Sequence, residues 1–99
     1  MKTHEINVKK LSNIRDKSLG KIKYKDENIF FHTRFGIHTF GMKNTIIVIV
    51  LDKDFKIINI KKVNPNRFYF WNIKYNNILE INESHNYTIS IGDKIELVD

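Results

Sequence analysis

The chain contains no cysteine, alanine or glutamine, and it has one proline and four glycines. Without cysteine it can form no disulfide and carries no thiolate chemistry, which fits a reducing compartment. Its longest apolar run, Ile46–Leu51, is far below the ~18 residues that indicate a membrane span. The first residues also lack the apolar stretch of a signal peptide. We therefore expect a cytoplasmic protein with no membrane association.

The chain has 99 residues and a net charge of +6. The length predicts a single domain over residues 1–99 with one modest core, and the charge raises nucleic acid as a partner. However, isoleucine, lysine and asparagine supply 43 of the 99 residues, and AT-rich codons encode all three. Lysine also outnumbers arginine 14 to 3, although arginine recognises phosphates and bases better. Nucleic-acid binding is therefore an alternative that the composition does not favour.

Short apolar and β-branched segments predict strands over most of the chain. The run Ile46–Leu51 has no polar alternation, which predicts a central strand covered on both faces. The turn Asp52–Phe55 leads into a hairpin partner at Lys56–Val63, and Gly92 and Asp93 introduce a last strand at Lys94–Val98. The other predicted strands are Glu5–Val8, Ile29–Phe31, Ile37–Phe40 and Ile78–Ile81.

Two segments predict short helices. Ser12 suits the first position of a helix that continues to Leu19 and ends at Gly20. A helical turn is predicted over Asn82–Tyr87. With five to seven strands and one or two short helices, the sequence predicts an α+β domain with a mostly antiparallel, barrel-like β-sheet.

The order of several short motifs is distinctive. Ile37–Met42 reads Ile-His-Thr-Phe-Gly-Met and continues through Lys43-Asn44-Thr45 into the apolar strand. The later motifs, in order, are Leu51-Asp52, Pro65-x-Arg67, Leu79-Glu80 and Gly92-Asp93. This order resembles an uncharacterised prokaryotic family known as domain of unknown function 192, or uncharacterised protein family 0127. The resemblance covers about Ile14 to Leu97.

The resemblance implies a compact β-rich fold and no particular activity, because none is established for the family. The chain departs from the family pattern at Thr45 and Ile47, where members usually carry a proline and an aspartate. Phe55 replaces the usual glycine of the hairpin turn. If the family used that aspartate for chemistry or metal binding, this chain lacks it.

Polar residues at the mouth of the central strand form the first candidate site. Such residues often line a ligand cleft, but they also satisfy the backbone where a loop meets the core, and this structural role is favoured for Lys43, Asn44 and Thr45. Residues of the later motifs are second-line candidates. The predicted ligand-binding residues are His38, Thr39, Lys43, Asn44, Pro65, Arg67 and Glu80.

Histidine and carboxylate pairs give weaker signals. A hairpin with its tip at residues 34–36 would place His32 opposite His38, but a stable metal site needs three or four ligands. We favour a structural, hydrogen-bonded His38 and expect no metal. Glu80 should lie on the opposite face of its strand from Leu79 and Ile81, where it would act as a general base or, more commonly, pair with Arg67 or a lysine.

The aromatic run Phe68–Trp71 has basic residues on either side. Alternation predicts Phe68 and Phe70 in the core, with Tyr69 and Trp71 at the rim or at an interface. A partner interface is the next interpretation, and stacking of single-stranded bases is the last.

These patterns predict a non-catalytic binding module for a small ligand or a protein partner, with no cofactor. They assign no catalytic residue. One alternative is a small hydrolase or metal-dependent enzyme that uses His32, His38 and Glu80. The other is a basic nucleic-acid-binding domain.

Overall fold

A computed structural model describes residues 2–11, 27–34, 36–83 and 88–98. Nine strands and no helix occur in these ranges. The strands are β1 (Thr3–Asn7), β2 (Lys9–Lys10), β3 (Ile29–His32), β4 (Ile37–His38), β5 (Ile46–Leu51), β6 (Ile57–Val63), β7 (Phe68–Tyr69), β8 (Asn77–Asn82) and β9 (Lys94–Val98).

A five-stranded sheet in the order β2-β3-β8-β5-β6 forms the centre of the fold. Strands β3, β8, β5 and β6 pair antiparallel, and β2 joins β3 in parallel. The β5–β6 hairpin, predicted from the sequence, is confirmed. The Asp52 carboxylate closes its turn by accepting hydrogen bonds from the N–H groups of Asp54 at 2.8 Å and Lys56 at 2.9 Å.

Strand β5 is covered on both faces, as its unbroken apolar sequence predicts. Ile49 and Leu51 belong to one buried cluster, while Ile46, Val48 and Val50 belong to a second cluster on the other face. Each fully buried valine or isoleucine side chain stabilises the fold by roughly 1.5–3 kcal/mol. Burial on two sides therefore makes this strand the main contributor to the core.

A two-stranded sheet covers each face of the central sheet. Parallel strands β1 and β9 contribute Ile6 and Ile95 to the first cluster. Antiparallel strands β4 and β7 form a short ribbon, which we call the β4–β7 ribbon, and its Ile37 and Tyr69 side chains pack on the second cluster. The Cα radius of gyration is 12.2 Å, close to the ~13 Å expected of one domain of this size.

The α+β prediction is wrong for the described residues, which form strands without a helix, and the barrel prediction is wrong because the sheets do not close. The helix predicted over Ser12–Leu19 lies outside the described residues. Leu11, just before it, is buried in the second cluster. In the segment predicted as a helical turn, Asn82 ends β8, Glu83 forms a turn, and residues 84–87 lie outside the described ranges.

The hairpin predicted around residues 34–36 is also wrong. Strand β3 pairs with β8, and β4 pairs with β7. The reason is that Ile29, Phe30 and Phe31 are all buried, so β3 occupies an interior place between β2 and β8 and leaves no edge for β4. Within the described ranges, no helix has the length and apolar character to cross a bilayer.

Candidate functional site

Thr39 fastens together the two loops that contain most of the predicted site. Its side chain is inaccessible to solvent. The hydroxyl donates to the Asn64 carbonyl oxygen at 2.6 Å and accepts from the Arg67 N–H at 2.9 Å. The Thr39 N–H also donates to the Arg67 carbonyl oxygen, and the Asn66 N–H donates to the Thr39 carbonyl oxygen. These bonds satisfy the buried backbone, so Thr39 has a structural role.

The other predicted residues differ in their exposure and in their distance from the hydrogen bonds of Thr39. His38 and Arg67 are exposed, Pro65 is half-buried, and Lys43 and Asn44 are exposed in the loop that leads to β5. The Thr45 hydroxyl donates to Asn64 Oδ1 at 2.9 Å. This bond supports the structural role predicted for Thr45 at the start of β5.

Glu80 is not part of this surface. It lies in β8 between Ile29 of β3 and Val48 of β5 and is buried. Leu79 and Ile81 belong to the first cluster on the opposite face, as the alternation predicted. The carboxylate therefore belongs to the sheet interior.

The two candidate histidines do not face each other. His32 pairs with Asn77, whereas His38 pairs with Phe68 in a different sheet. Each ring instead contacts a phenylalanine two residues away, Phe30 for His32 and Phe40 for His38, at centroid distances of 5.3 and 5.5 Å. In the part of the chain that the structure describes, no three His, Asp or Glu side chains are grouped to hold a metal ion.

The aromatic run alternates as predicted, but its buried and exposed faces are reversed. Tyr69 and Trp71 pack against the second cluster, while Phe68 and Phe70 are 63% and 66% exposed. The polar atoms of the inward rings have partners at the edge of the core. Asn59 Nδ2 donates to the Tyr69 hydroxyl at 2.8 Å, and Trp71 Nε1 donates to the Tyr75 carbonyl oxygen at 2.9 Å. Large amphipathic rings can therefore be buried there without losing hydrogen bonds.

Burial also affects the acidity of one of these rings. Desolvation raises the pKa of the Tyr69 hydroxyl above its ordinary value, and the hydrogen bond from Asn59 partly opposes this shift. The hydroxyl therefore stays protonated at neutral pH and serves as a hydrogen-bonding anchor for the ribbon.

The outer face of the ribbon carries four rings in a continuous row, which we call the aromatic strip: His38, Phe40, Phe68 and Phe70. The His38 and Phe40 rings stack at 5.5 Å with an interplanar angle of 27°. Phe40 meets Phe68 edge-on at 4.9 Å, and Phe68 lies nearly parallel to Phe70 at 6.1 Å, with an angle of 15°. The strip is thus an ordered apolar surface rather than a set of isolated side chains.

Gly36 allows β7 to approach closely at one end of the strip. Its φ of 85° lies in the left-handed region, and a Cβ there would collide with the Phe70 ring and lie 2.7 Å from the Tyr69 carbonyl oxygen. A side chain at this position would therefore displace Phe70 as well as strain the backbone.

The two segments that carry the aromatic strip are rich in positive side chains. Residues 33–45 and 64–76 contain Arg34, Lys43, Arg67 and Lys74 but no aspartate or glutamate. All four cations are exposed. Arg34 Nη1 donates to the Ile73 carbonyl oxygen at 2.7 Å and so ties the two segments together, while Lys74 Nζ lies 5.2 Å from the centre of the Tyr75 ring.

A second polar cluster, on β1 and the turn before β9, was not predicted from the sequence. His4 Nε2 lies 2.9 Å from Asp93 Oδ2, and the carboxylate also accepts from the backbone N–H groups of Lys2 and Ser90. The hydrogen bond from His4, followed by the one from Lys2, lowers the pKa of Asp93 below its ordinary value. The sequence indicated only a turn residue at Asp93, because 89 positions separate it from His4.

Comparison of the chain with protein-family models, curated proteins and solved structures found no match. The resemblance to the uncharacterised prokaryotic family therefore stays a prediction.

Proposed function

We propose that the protein is a non-catalytic binding module and that the aromatic strip is its binding surface. One observation supports this proposal above the others: the β4–β7 ribbon is apolar on both faces, but the core covers the inner face alone. Phe40, Phe68 and Phe70 are between 42% and 66% exposed, and the Phe68 ring contacts the other two. Contiguous exposed apolar surface of this kind marks interaction sites.

The proposal changes the roles of the residues predicted from the sequence. His38 remains in the site as a member of the strip, whereas Thr39 holds the two loops together beneath it. Lys43, three residues after Phe40, and Arg67, directly before Phe68, are exposed cations. Aromatic and arginine side chains contribute disproportionately to binding energy at protein interfaces.

No observation on the described residues favours the enzyme alternative, since His32, His38 and Glu80 lie in separate environments. The proposal retains two expectations from the sequence: a cytoplasmic location and membership of the prokaryotic family that the motifs resemble.

A ligand panel followed by amide NMR tests the proposal. The probes are a single-stranded oligothymidylate, a polyglutamate peptide and the protein itself at rising concentration. At least one probe should shift the amide signals of residues 36–40 and 67–70. The same shifts should be absent from the Phe68→Ser/Phe70→Ser variant.

Ile91→Ser is the matched control, because Ile91 is 65% exposed but lies in the turn before β9. This variant should behave like the wild type. The proposal fails if no probe moves the ribbon signals, or if every probe that binds does so equally well without the two phenylalanine rings.

A further inference from the structure

The charge around the aromatic strip differs from the charge of the whole chain. The chain has 17 cationic and 11 acidic residues, yet the two segments that build the ribbon and its loops contain four cations and no acid. Two of the three arginines, Arg34 and Arg67, lie in these segments. A negatively charged partner would meet only attraction from the charged side chains of this part of the sequence.

Codon bias does not explain this arrangement. Codon bias acts on the composition of the whole chain, which includes 11 aspartate and glutamate residues. Bias of this kind therefore gives no reason for the acids to avoid residues 33–45 and 64–76. The local absence of acids strengthens the case for a polyanionic partner, which the overall composition had weakened.

The rings add a second requirement to the partner's chemistry. Phe68 in β7 and Phe70 just after it present exposed, nearly parallel rings, and Phe40 and His38 extend the row from the end of β4. A partner that carries flat π systems at short intervals along a negative backbone satisfies both the rings and the charges. Proteins that bind single-stranded nucleic acid combine these two features in the same way.

We infer that the aromatic strip binds single-stranded nucleic acid, with bases stacked on Phe68 and Phe70 and phosphates held by Arg34, Lys43 and Arg67. This inference rests on the proposed function, because it assigns an occupant to the same surface. Stacking on phenylalanine tolerates every base, so binding is expected to depend little on sequence. A duplex of the same length hides its bases and should bind at least about tenfold more weakly.

Fluorescence anisotropy with a labelled oligothymidylate of about 12 nucleotides measures the contribution of the rings. The double variant Phe68→Ser/Phe70→Ser should lose at least about tenfold in affinity. Phe68→Tyr, which keeps the ring, and Ile91→Ser, which removes an exposed side chain elsewhere, should retain it. Both phenylalanines are exposed, so the amide spectrum should show that the double variant is folded.

The salt dependence measures the contribution of the charges. Three phosphate contacts would make log K fall against log salt with a slope of about −2. The Lys43→Gln/Arg67→Gln variant should reduce that slope by about 1.4. Lys53→Gln is the matched control. Lys53 is exposed in the turn before β6, whereas Asn64 and the loop to the ribbon follow the other end of that strand. Its loss should leave the slope unchanged.

The outcomes separate this inference from the proposed function. Ring-dependent and salt-dependent binding of the single strand supports both. Binding that is equally tight without Phe68 and Phe70, or equally tight to the duplex, overturns the inference. If the oligonucleotide does not bind while polyglutamate or self-association uses the strip, the inference is wrong and the proposed function stands. If none of these probes engages the strip, both are wrong.

Discussion

Strand β5 and the β4–β7 ribbon are both apolar on two faces, but the fold covers them differently. In β5, layers on either side of the central sheet bury Val48 and Ile49 in two separate clusters. In the ribbon, Tyr69 faces the core and Phe68 faces solvent. An apolar residue therefore indicates a core position only where the topology supplies a layer to cover it. Where no layer is supplied, the same residue type lies exposed, as Phe68 does.

The largest expected effect contrasts a charge in β5 with the same charge on the strip. Val48→Asp should unfold the protein, because an unpaired carboxylate in a two-sided core costs several kcal/mol, comparable to the ~5–15 kcal/mol available to a small domain. Phe68→Asp should remain folded, since that side chain is already exposed. Circular dichroism during urea unfolding compares the two variants. A cooperatively folded Val48→Asp protein would contradict the assignment of β5 to the core.

The next effect tests whether Thr39 is structural. Thr39→Val keeps the shape of the side chain but leaves the Arg67 N–H without its buried acceptor, so the free energy of unfolding should fall by about 1–3 kcal/mol. Thr45→Val removes a single bond in a more exposed place and should cost less than about 1 kcal/mol. Equal losses for the two variants in urea denaturation would contradict the structural role of the Thr39 hydroxyl.

Acid stability gives a smaller effect, on the opposite side of the central sheet from the strip. The pKa of Asp93 is lowered in the folded state, chiefly by His4. Its contribution to stability is therefore complete above the ordinary aspartate pKa and is lost as the pH falls through the lowered value. Asp93→Asn should be less stable than the wild type at neutral pH, and the difference should shrink in acid.

Urea denaturation at a series of pH values measures this effect. His4→Phe removes the first of the hydrogen bonds to the Asp93 carboxylate and should retain part of the wild-type acid dependence. An Asp93→Asn variant whose stability runs parallel to that of the wild type at every pH would refute the linkage.

The smallest effect on stability should come from the strip itself. Phe68→Ser/Phe70→Ser is expected to shift the free energy of unfolding by no more than about 1 kcal/mol in total, because both rings are largely exposed. A large loss of stability would mean that the two rings are packed as part of the core and are not an exposed surface.

Local patterns in the sequence predicted much of the sheet. The run Ile46–Leu51, the hairpin to β6 and the last strand Lys94–Val98 were predicted with nearly the observed bounds, because their apolar content and turn residues act over short distances. The pairing of β3 with β8 was not predicted, because it joins segments about 50 positions apart and depends on which strands remain for the edges.

The site was harder to predict, for related reasons. Alternation divided Phe68–Trp71 into two faces correctly but could not show which face meets the core, since all four residues are large and aromatic. The polar atoms of Tyr69 and Trp71, with partners at Asn59 and Tyr75, decide that question. The absence of acids from residues 33–45 and 64–76 is visible in the sequence, but the pairing that joins these two segments in one ribbon is not.

A soluble paramagnetic agent, added during side-chain NMR, tests the difference between β5 and the ribbon most directly. We expect strong broadening of the Phe68 and Phe70 ring signals, together with sharp Val48 methyl and Trp71 indole signals. Protected phenylalanine rings, or a Val48 methyl signal as exposed as theirs, would contradict this expectation.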